Sequence, residues 1–355
     1  MGFSVGIVGL PNVGKSTLFN AIIQQQRAEV SNYPFCTIAP NKALVEIPDS
    51  RLALLATKLN LERKIPAVLE IVDIAGLVKG AHRGEGLGNE FLSHIQGVDV
   101  ILQVVRFFPN PEIAGVVDPE SDIELINTEL ALKDLQILES LEEKLEKQIK
   151  AQQKEAIRQK EIILKIKENL EAKEKIWEEL LPEEIDFVKS LSLLSIKPTI
   201  YVANVSEKQL QDGNWQNLVQ NPKDFIPICA KLESEIIELE ENEKEEYLKA
   251  FGVQTPAIQK IIQKAAQALD LITFYTLKVG EQIQAWTVKK NTKAPQAAGK
   301  IHSDFEKNFI AVEVIDFETL LKEGDFKKAK EKGRVKTEGK DYIIRDGDVV
   351  YFLHH

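Results

Sequence analysis

The chain has 355 residues, of which 44% are apolar and 28% charged, a composition typical of a folded chain long enough for two or three domains. Its net charge of −10 argues against charge-driven wrapping of nucleic acid but allows a local basic face, and we expect no DNA partner. The two cysteines, Cys36 and Cys229, favour a reducing cytoplasm over a disulfide framework. No stretch approaches the roughly 20 apolar residues of a membrane span, so we expect no membrane partner.

A phosphate-binding motif opens the chain. Residues 9–16, Gly-Leu-Pro-Asn-Val-Gly-Lys-Ser, fit G-x-x-x-x-G-K-[ST], with a β-branched run before them and a helical pattern after them. The glycines let backbone N–H groups approach phosphate oxygens, and the helix N-terminus favours the same anion. We predict a nucleotide site in which Lys15 reaches the β- and γ-phosphates and the Ser16 hydroxyl binds Mg²⁺. The alternative is a glycine turn with a chance Lys-Ser pair.

A loop and a strand follow at 24–48, with Tyr-Pro-Phe-Cys-Thr-Ile-Ala-Pro at 33–40. In P-loop switch proteins a threonine at this distance adds its hydroxyl to the Mg²⁺ shell when the γ-phosphate is present. We therefore predict Thr37 as a metal ligand, the alternative being a threonine in a proline-bounded turn.

The strand Val68-Leu-Glu-Ile-Val-Asp73 ends in an acid and opens the pattern D-x-x-G. This places Asp73 beside the P-loop, where it can hold Mg²⁺ through water, while the Gly76 N–H meets the γ-phosphate. The glycine-rich residues 76–89 are expected to reorder on nucleotide exchange. Leu77 stands where many such enzymes carry a glutamine that orients the attacking water, so another group, or a partner, must position that water.

A buried strand is predicted at 98–105, followed by a highly charged stretch from Asp122 to about Glu179 without glycine or proline. Apolar residues recur there at three- and four-residue steps. This spacing predicts two long helices packed as an antiparallel, coiled-coil-like hairpin. Its charges are interpreted as a solvated face rather than as a specific binding surface.

The sheet resumes at 197–203 and ends in Asn204-Val-Ser-Glu207, where guanine-reading loops carry Asn-Lys-x-Asp. The longer Glu207 replaces the aspartate and Val205 replaces the supporting lysine. Because adenine still offers its N6 amine and N7 to Asn204, the pocket is predicted to have lost guanine selectivity and to favour ATP. The loop Cys229-Ala230-Lys231 is expected to contact the base through its backbone.

The last eighty or so residues predict a small α+β domain of alternating strands. Its run from Lys289 to Lys300 is basic, with Trp286 just before it. Lysines beside an aromatic ring suit RNA, by backbone contact and stacking, and the alternative is a solvated loop with Trp286 in the core.

The chain also carries family motifs. They are Gly-Leu-Pro-Asn-Val-Gly-Lys-Ser-Thr at 9–17, Asp-Ile-Ala-Gly-Leu-Val-Lys-Gly-Ala at 73–81, Gly-Glu-Gly-Leu-Gly-Asn at 84–89, Asn-Thr-Glu-Leu-Ala-Leu at 127–132, Asn-Val-Ser-Glu at 204–207 and Thr-Lys-Ala-Pro-Gln-Ala-Ala-Gly-Lys-Ile-His at 292–302. From end to end the chain resembles the Obg-like ATPase (YchF) family of translation-factor-class P-loop proteins.

The resemblance implies an α/β P-loop G domain with a mostly parallel sheet (1–125 and 195–272), an inserted helical hairpin (126–194) and a C-terminal TGS domain of the β-grasp type (273–355). It further implies slow ATP hydrolysis and a ribosomal partner. The residues it assigns to phosphate binding are Asn12, Val13, Gly14, Lys15, Ser16 and Thr17. It also implies that Ser16 and Thr37 bind Mg²⁺ and that the Val205 backbone contacts adenine. The Asn12 carbonyl oxygen could help to hold a K⁺ ion. Leu77 matches the family's apolar replacement of the catalytic glutamine.

One departure concerns the loop at 107–118, where some relatives carry a histidine tied to hydrolysis and this chain has none. His82 is a weaker substitute, since loop histidines are usually solvated. The leading hypothesis is a cytoplasmic, ribosome-associated ATPase switch that binds ATP more strongly than GTP. The alternatives are a GTPase of the same fold and a non-catalytic, nucleotide-gated ribosome- or RNA-binding protein.

Overall fold

A computed structural model of the chain describes residues 2–29, 41–74, 87–109, 116–150, 152–172, 181–236, 239, 241–251, 253, 255–278 and 280–354. Within these ranges no helix combines the length and the apolar character needed to cross a membrane. The strands are β1 (Ser4–Val8), β2 (Lys42–Glu46), β3 (Arg63–Ile65), β4 (Val68–Asp73), β5 (Val100–Arg106), β6 (Thr199–Asn204), β7 (Phe225–Ile228), β8 (Leu271–Lys278), β9 (Gln282–Lys289), β10 (Phe309–Asp316), β11 (Lys336–Glu338) and β12 (Asp348–His354).

The helices surround these strands. They are α1 (Lys15–Glu29), α2 (Ser50–Lys58), α3 (Leu87–Gln96), α4 (Pro119–Lys150), α5 (Lys154–Ala172), α6 (Pro182–Ser190), α7 (Glu207–Asp212), α8 (Ala230–Ile236), α9 (Glu241–Ala250), α10 (Ala257–Ala268), α11 (Ala294–Ile301), α12 (Ser303–Lys307), α13 (Phe317–Glu323) and α14 (Phe326–Glu331), with short 3₁₀ helices at Asn214–Leu218 and Pro222–Asp224.

The first sheet has the strand order β2-β4-β1-β5-β6-β7. Its strands from β4 to β7 run parallel, and β2 is antiparallel at the edge. The central strands β1 and β5 are buried along their whole length, as expected for near-continuous apolar runs covered by helices on both faces. The prediction of a mostly parallel sheet is confirmed, and it brings the carboxyl ends of β1 and β4 together, with Ile7 opposite Asp73.

The helices α4 and α5 form the predicted antiparallel hairpin. Lys167 near the end of α5 pairs with Glu142, and Lys160 near its start pairs with Glu146, each at 3.1 Å. Apolar residues at helical spacing pack between the two helices, among them Leu138, Leu145, Ile163 and Ile166. The helix α4 starts at Pro119, so it is continuous from the edge of the first sheet into the hairpin.

The fully buried Asp134 fixes the hairpin to the chain that leads into β6. Its Oδ1 accepts a hydrogen bond from the Leu194 N–H at 2.7 Å. Its Oδ2 accepts from the Ser195 N–H at 2.7 Å and from the Ser195 hydroxyl at 2.6 Å. A buried carboxylate with these donors is satisfied and holds both segments in register.

The second sheet has the order β11-β10-β12-β8-β9-β3, with α11 packed on one face through Ala294, Ala297 and Ala298. The predicted α+β C-terminal part is confirmed. The pairing of β3 with β9 was not predicted. This three-residue edge strand comes from the N-terminal half of the chain, and Arg-Lys-Ile is too short to show a strand pattern.

Candidate nucleotide-binding site

The loop between β1 and α1 has the backbone of a phosphate cradle. Asn12 and Gly14 lie in the left-handed region, with φ of 61° and 101°. A Cβ atom on Gly9 would lie 2.5 Å from the Val104 carbonyl oxygen, and one on Gly14 would lie 2.2 Å from Nδ2 of Asn204. Glycine is therefore required at both positions, because only glycine allows this loop to lie against β5 and β6.

Lys15 is held within the loop and is only 8% exposed. Its ammonium donates a hydrogen bond to the Leu10 carbonyl oxygen at 2.8 Å, so the side chain folds back over the cradle. Burial lowers the pKa of Lys15, and the nearby Asp73 carboxylate opposes that shift. Lys15 is therefore a partly desolvated cation beside the loop, and its electrostatic attraction to a phosphate there would be stronger than in water.

Ser16 and Asp73 lie side by side at the carboxyl edge of the sheet. The Ser16 hydroxyl donates to Oδ2 of Asp73 at 3.4 Å, while Oδ1 of Asp73 is buried and has no hydrogen-bond partner among the residues that the structure describes. Burial raises the pKa of Asp73, and Lys15 and the Ser16 hydroxyl pull it down.

An orphaned carboxylate oxygen beside a hydroxyl fits a hard divalent cation such as Mg²⁺. Over the described ranges no group of three or more His, Cys, Asp or Glu side chains is placed to hold a metal. A metal at Asp73 would therefore depend on hydroxyl, water and phosphate oxygens for its other ligands, which is the pattern that Mg²⁺ follows with nucleotides.

Asn204, at the end of β6, is 4% exposed and joins two loops of the site. Its Nδ2 donates to the Val13 carbonyl oxygen at 2.8 Å, and its Oδ1 accepts from the Ala230 N–H at 3.2 Å. The predicted base-reading residue thus ties the P-loop to the loop after β7. The Val205 N–H is likewise engaged, with the Ile228 carbonyl oxygen at 2.8 Å.

The structure brings Glu207 at the start of α7 close to Lys231 at the start of α8. Lys231 Nζ lies 3.1 Å from Glu207 Oε1, and this hydrogen bond is the leading cause of a raised Lys231 pKa. Cys229 is buried, and burial raises the pKa of its thiol. Lys231 therefore pairs with the residue that replaces the guanine-reading aspartate, a contact that sequence spacing did not reveal.

Comparisons with known proteins agree with this geometry. Residues 4–204 match a family model described as 50S ribosome-binding GTPase, and residues 271–355 match the model YchF-GTPase_C, described as a protein of unknown function (DUF933). The chain is 47% identical to the ribosome-binding ATPase YchF of Bacillus subtilis, over 99% of both chains. The chain belongs to the YchF family of Obg-like ATPases.

Other YchF-family members support the assignment. Human Obg-like ATPase 1 is 41% identical over 98% of this chain and 91% of its own length. A solved structure of the YchF GTPase of Schizosaccharomyces pombe superposes with a TM-score of 0.86 at 36% identity, covering 99% of this chain and 98% of that one. The fold predicted for the whole chain is thus that of a YchF protein.

Several predicted site residues of this YchF-family chain lie outside the residues that the structure describes. They are Thr37, Gly76, Leu77 and His82. Their predicted roles in binding Mg²⁺, contacting the γ-phosphate and orienting water stay predictions. The described part of the site consists of the P-loop, Asp73 and the loops after β6 and β7.

Sequence reasoning missed Glu233, which lies in the first turn of α8, two residues after Lys231. It is buried, and its Oε1 accepts from the Ala257 N–H at 2.8 Å, capping the start of α10. Burial raises the pKa of Glu233 to about 7. The sequence around Glu233 gives no sign that this residue is buried, because the residue it caps, Ala257, lies 24 positions further along the chain.

Proposed function

We propose that this chain is a ribosome-associated ATPase that works as a nucleotide switch. The observation that carries the proposal is the placement of Lys15, Ser16 and Asp73 around one phosphate cradle, with one buried Asp73 oxygen that has no hydrogen-bond partner in the described part of the chain. Relatives of 41–47% identity, named as ribosome-binding or Obg-like ATPases, support both the activity and the ribosomal partner.

In this proposal the backbone N–H groups of residues 12–17 hold the β- and γ-phosphates, and Lys15 neutralises their charge. Ser16 and Asp73 hold Mg²⁺, which neutralises negative charge on the phosphate oxygens, and Thr37 joins them when the γ-phosphate is bound. A K⁺ ion held in part by the Asn12 carbonyl oxygen stays a prediction. Turnover in KCl compared with NaCl tests it.

The nucleotide preference is proposed to be ATP over GTP. Support comes from Glu207 and Val205, which replace the aspartate and lysine of guanine-reading loops. In this proposal the Asn204 carboxamide, which also bridges Val13 and Ala230, and the Val205 backbone meet the adenine edge, and the segment Cys229–Lys231 borders the base. The runner-up is a GTPase, which the description of the matching P-loop family favours.

Calorimetric titration of ATP and GTP, each with and without ribosomes, tests the proposal. We expect tighter binding of ATP and slow turnover that ribosomes increase. A preference for GTP would establish the runner-up. Tight ATP binding with no turnover in either condition would instead favour a non-catalytic, nucleotide-gated binding protein, the alternative suggested by Leu77.

We also propose the domain limits 1–125 with 195–272, 126–194 and 273–355, and a cytoplasmic location. In this arrangement the hairpin and the C-terminal domain report the nucleotide state to the ribosome. The continuous helix α4 supports the role of the hairpin, since a rigid helix transmits a displacement at its base along its length.

A further inference from the structure

The basic run predicted to face RNA is less available than its sequence suggests. Lys293 is paired with Asp341 at 2.8 Å. Trp286 is half-buried in the core of the second sheet, and its indole N–H donates to the Thr276 hydroxyl at 2.9 Å. The aromatic ring is thus part of the core, and the case for stacking at this run fails.

A denser cationic surface lies at the opposite edge of the same sheet, in residues 326–340. We call it the basic edge. It carries seven basic and two acidic side chains in a chain with a net charge of −10. The basic residues are exposed, and they are Lys327, Lys328, Lys330, Lys332, Arg334, Lys336 and Lys340.

Packing brings these charges together. The basic edge consists of α14, a tight turn at Gly333 and the edge strand β11. Among the described residues, two of these seven side chains form ion pairs: Lys330 with Glu313 at 2.5 Å, and Lys332 with Glu323 at 2.6 Å. Five exposed cations remain to meet an anionic partner, two of which, Lys327 and Lys328, also interact electrostatically with the Asp325 carboxylate at the start of α14.

An exposed aromatic ring adjoins this surface. Thr337 on β11 and Tyr351 on β12 both lie opposite Glu313 on β10, so the three side chains project from one face. Tyr351 is 52% exposed, and its neighbour Glu313 is neutralised by Lys330 from the basic edge. A ring with an open face beside cations is the pattern that binds an unpaired base together with its phosphates.

We propose that the basic edge and Tyr351 bind single-stranded RNA, the cations contacting phosphates and the tyrosine stacking on a base. The proposal deepens the proposed function, on which it rests for the source of the RNA, because a ribosome exposes unpaired RNA. An unpaired base can stack on the ring while its phosphates contact the neighbouring cations, so the pairing of Tyr351 with the basic edge favours RNA over an acidic protein.

The test uses the full chain and a fluorescein-labelled 20-nucleotide oligouridylate, with fluorescence anisotropy measured between 50 and 200 mM KCl. The variant Lys327→Gln/Lys328→Gln/Arg334→Gln/Lys336→Gln is compared with a hairpin control of equal charge change, Lys144→Gln/Lys147→Gln/Lys150→Gln/Lys154→Gln. We expect the edge variant to weaken binding at least about tenfold and to reduce the log–log salt slope by about 3, and the control to change neither. Tyr351→Ala should weaken binding about fivefold or more with an unchanged salt slope.

Equal affinities for the edge variant and the hairpin control would overturn the proposal. Loss of ribosome co-sedimentation with unchanged oligouridylate binding would overturn it as well, and would indicate an acidic protein partner. Basal ATP turnover of the same variants should match that of the unmodified chain, which separates this site from the ATPase. If the fourfold variant has a lower melting temperature than the unmodified chain, Lys327→Gln/Lys328→Gln with Tyr351→Ala replaces it in the same measurement of oligouridylate affinity.

Discussion

Arg51 on helix α2 binds Asp346, which lies just before β12 of the second sheet, with its Nη1 2.7 Å from Oδ2 of Asp346. The same guanidinium binds Asp49 at 3.0 Å, and Asp49 also accepts the hydroxyl of Tyr275. Asp346 in turn accepts from the Thr273 N–H at 2.9 Å. The segment after β2, just beyond the predicted Thr37 switch, is thereby tied to the C-terminal sheet, so a displacement of β2 has a direct route to that sheet.

Replacing Arg51 by Ala removes the cation that Asp49 and Asp346 share. Since both partners are partly exposed, we expect a loss of about 1–2 kcal/mol rather than the larger value of a fully buried pair. The shift of the urea-unfolding midpoint measures it, with the exposed Lys42–Glu70 pair as a control, where Lys42→Ala should change little. Equal shifts for the two variants would contradict a role for this network.

Lys15→Ala should abolish turnover while leaving the fold intact. The ammonium is the cation held in the P-loop, and loss of such a preorganised charge slows the chemical step by about 10²-fold or more. Steady-state phosphate release measures the effect, with Lys58→Ala on the surface helix α2 as the matched control. Turnover that survives in Lys15→Ala would show that the observed hydrolysis does not come from this site.

Asp73→Asn should raise the Mg²⁺ concentration needed for half-maximal ATP binding by about tenfold, because a neutral amide replaces a carboxylate of the predicted metal site. The orphaned Oδ1 of Asp73 is the structural reason for this expectation. Titration of Mg²⁺ at fixed nucleotide measures the change, and binding in EDTA provides the control. A similar loss with and without Mg²⁺ would assign Asp73 to the fold rather than to the metal.

Asn204→Ala distinguishes two roles of one residue. The carboxamide bridges Val13 and Ala230, so its removal frees the P-loop and should weaken ATP and GTP by a similar factor, about tenfold. A residue that only reads the base would instead change the ratio of the two affinities. Competition between ATP and GTP, measured on Asn204→Ala and on the unmodified chain, decides between them.

The parts of this protein that sequence predicted are those set by local pattern. The P-loop follows from fixed spacing, the parallel sheet from buried apolar runs such as β5, and the hairpin from apolar residues three and four apart. The parts it missed depend on contacts between distant residues. The pairing of β3 with β9 and the Lys231–Glu207 ion pair both need the tertiary fold. For Trp286 the sequence left two alternatives open, and the structure selects the one with the ring in the core.

Glu233 makes stability depend on pH in a direction opposite to that of an ordinary ion-paired acid. Its pKa is about 7 in the fold against an ordinary 4.5, so the folded chain binds the proton more tightly, and stability falls as pH rises from about 4.5 to about 7. Glu233→Gln keeps an acceptor for the Ala257 N–H but carries no charge. We expect this variant to be more stable than the unmodified chain at pH 8, by on the order of 1–3 kcal/mol, and equal to it below about pH 5.

Thermal melting at several pH values measures the difference, with the exposed Glu139→Gln as the control. A Glu233→Gln variant that is less stable at pH 8 would show that the ionised carboxylate is the better cap for α10.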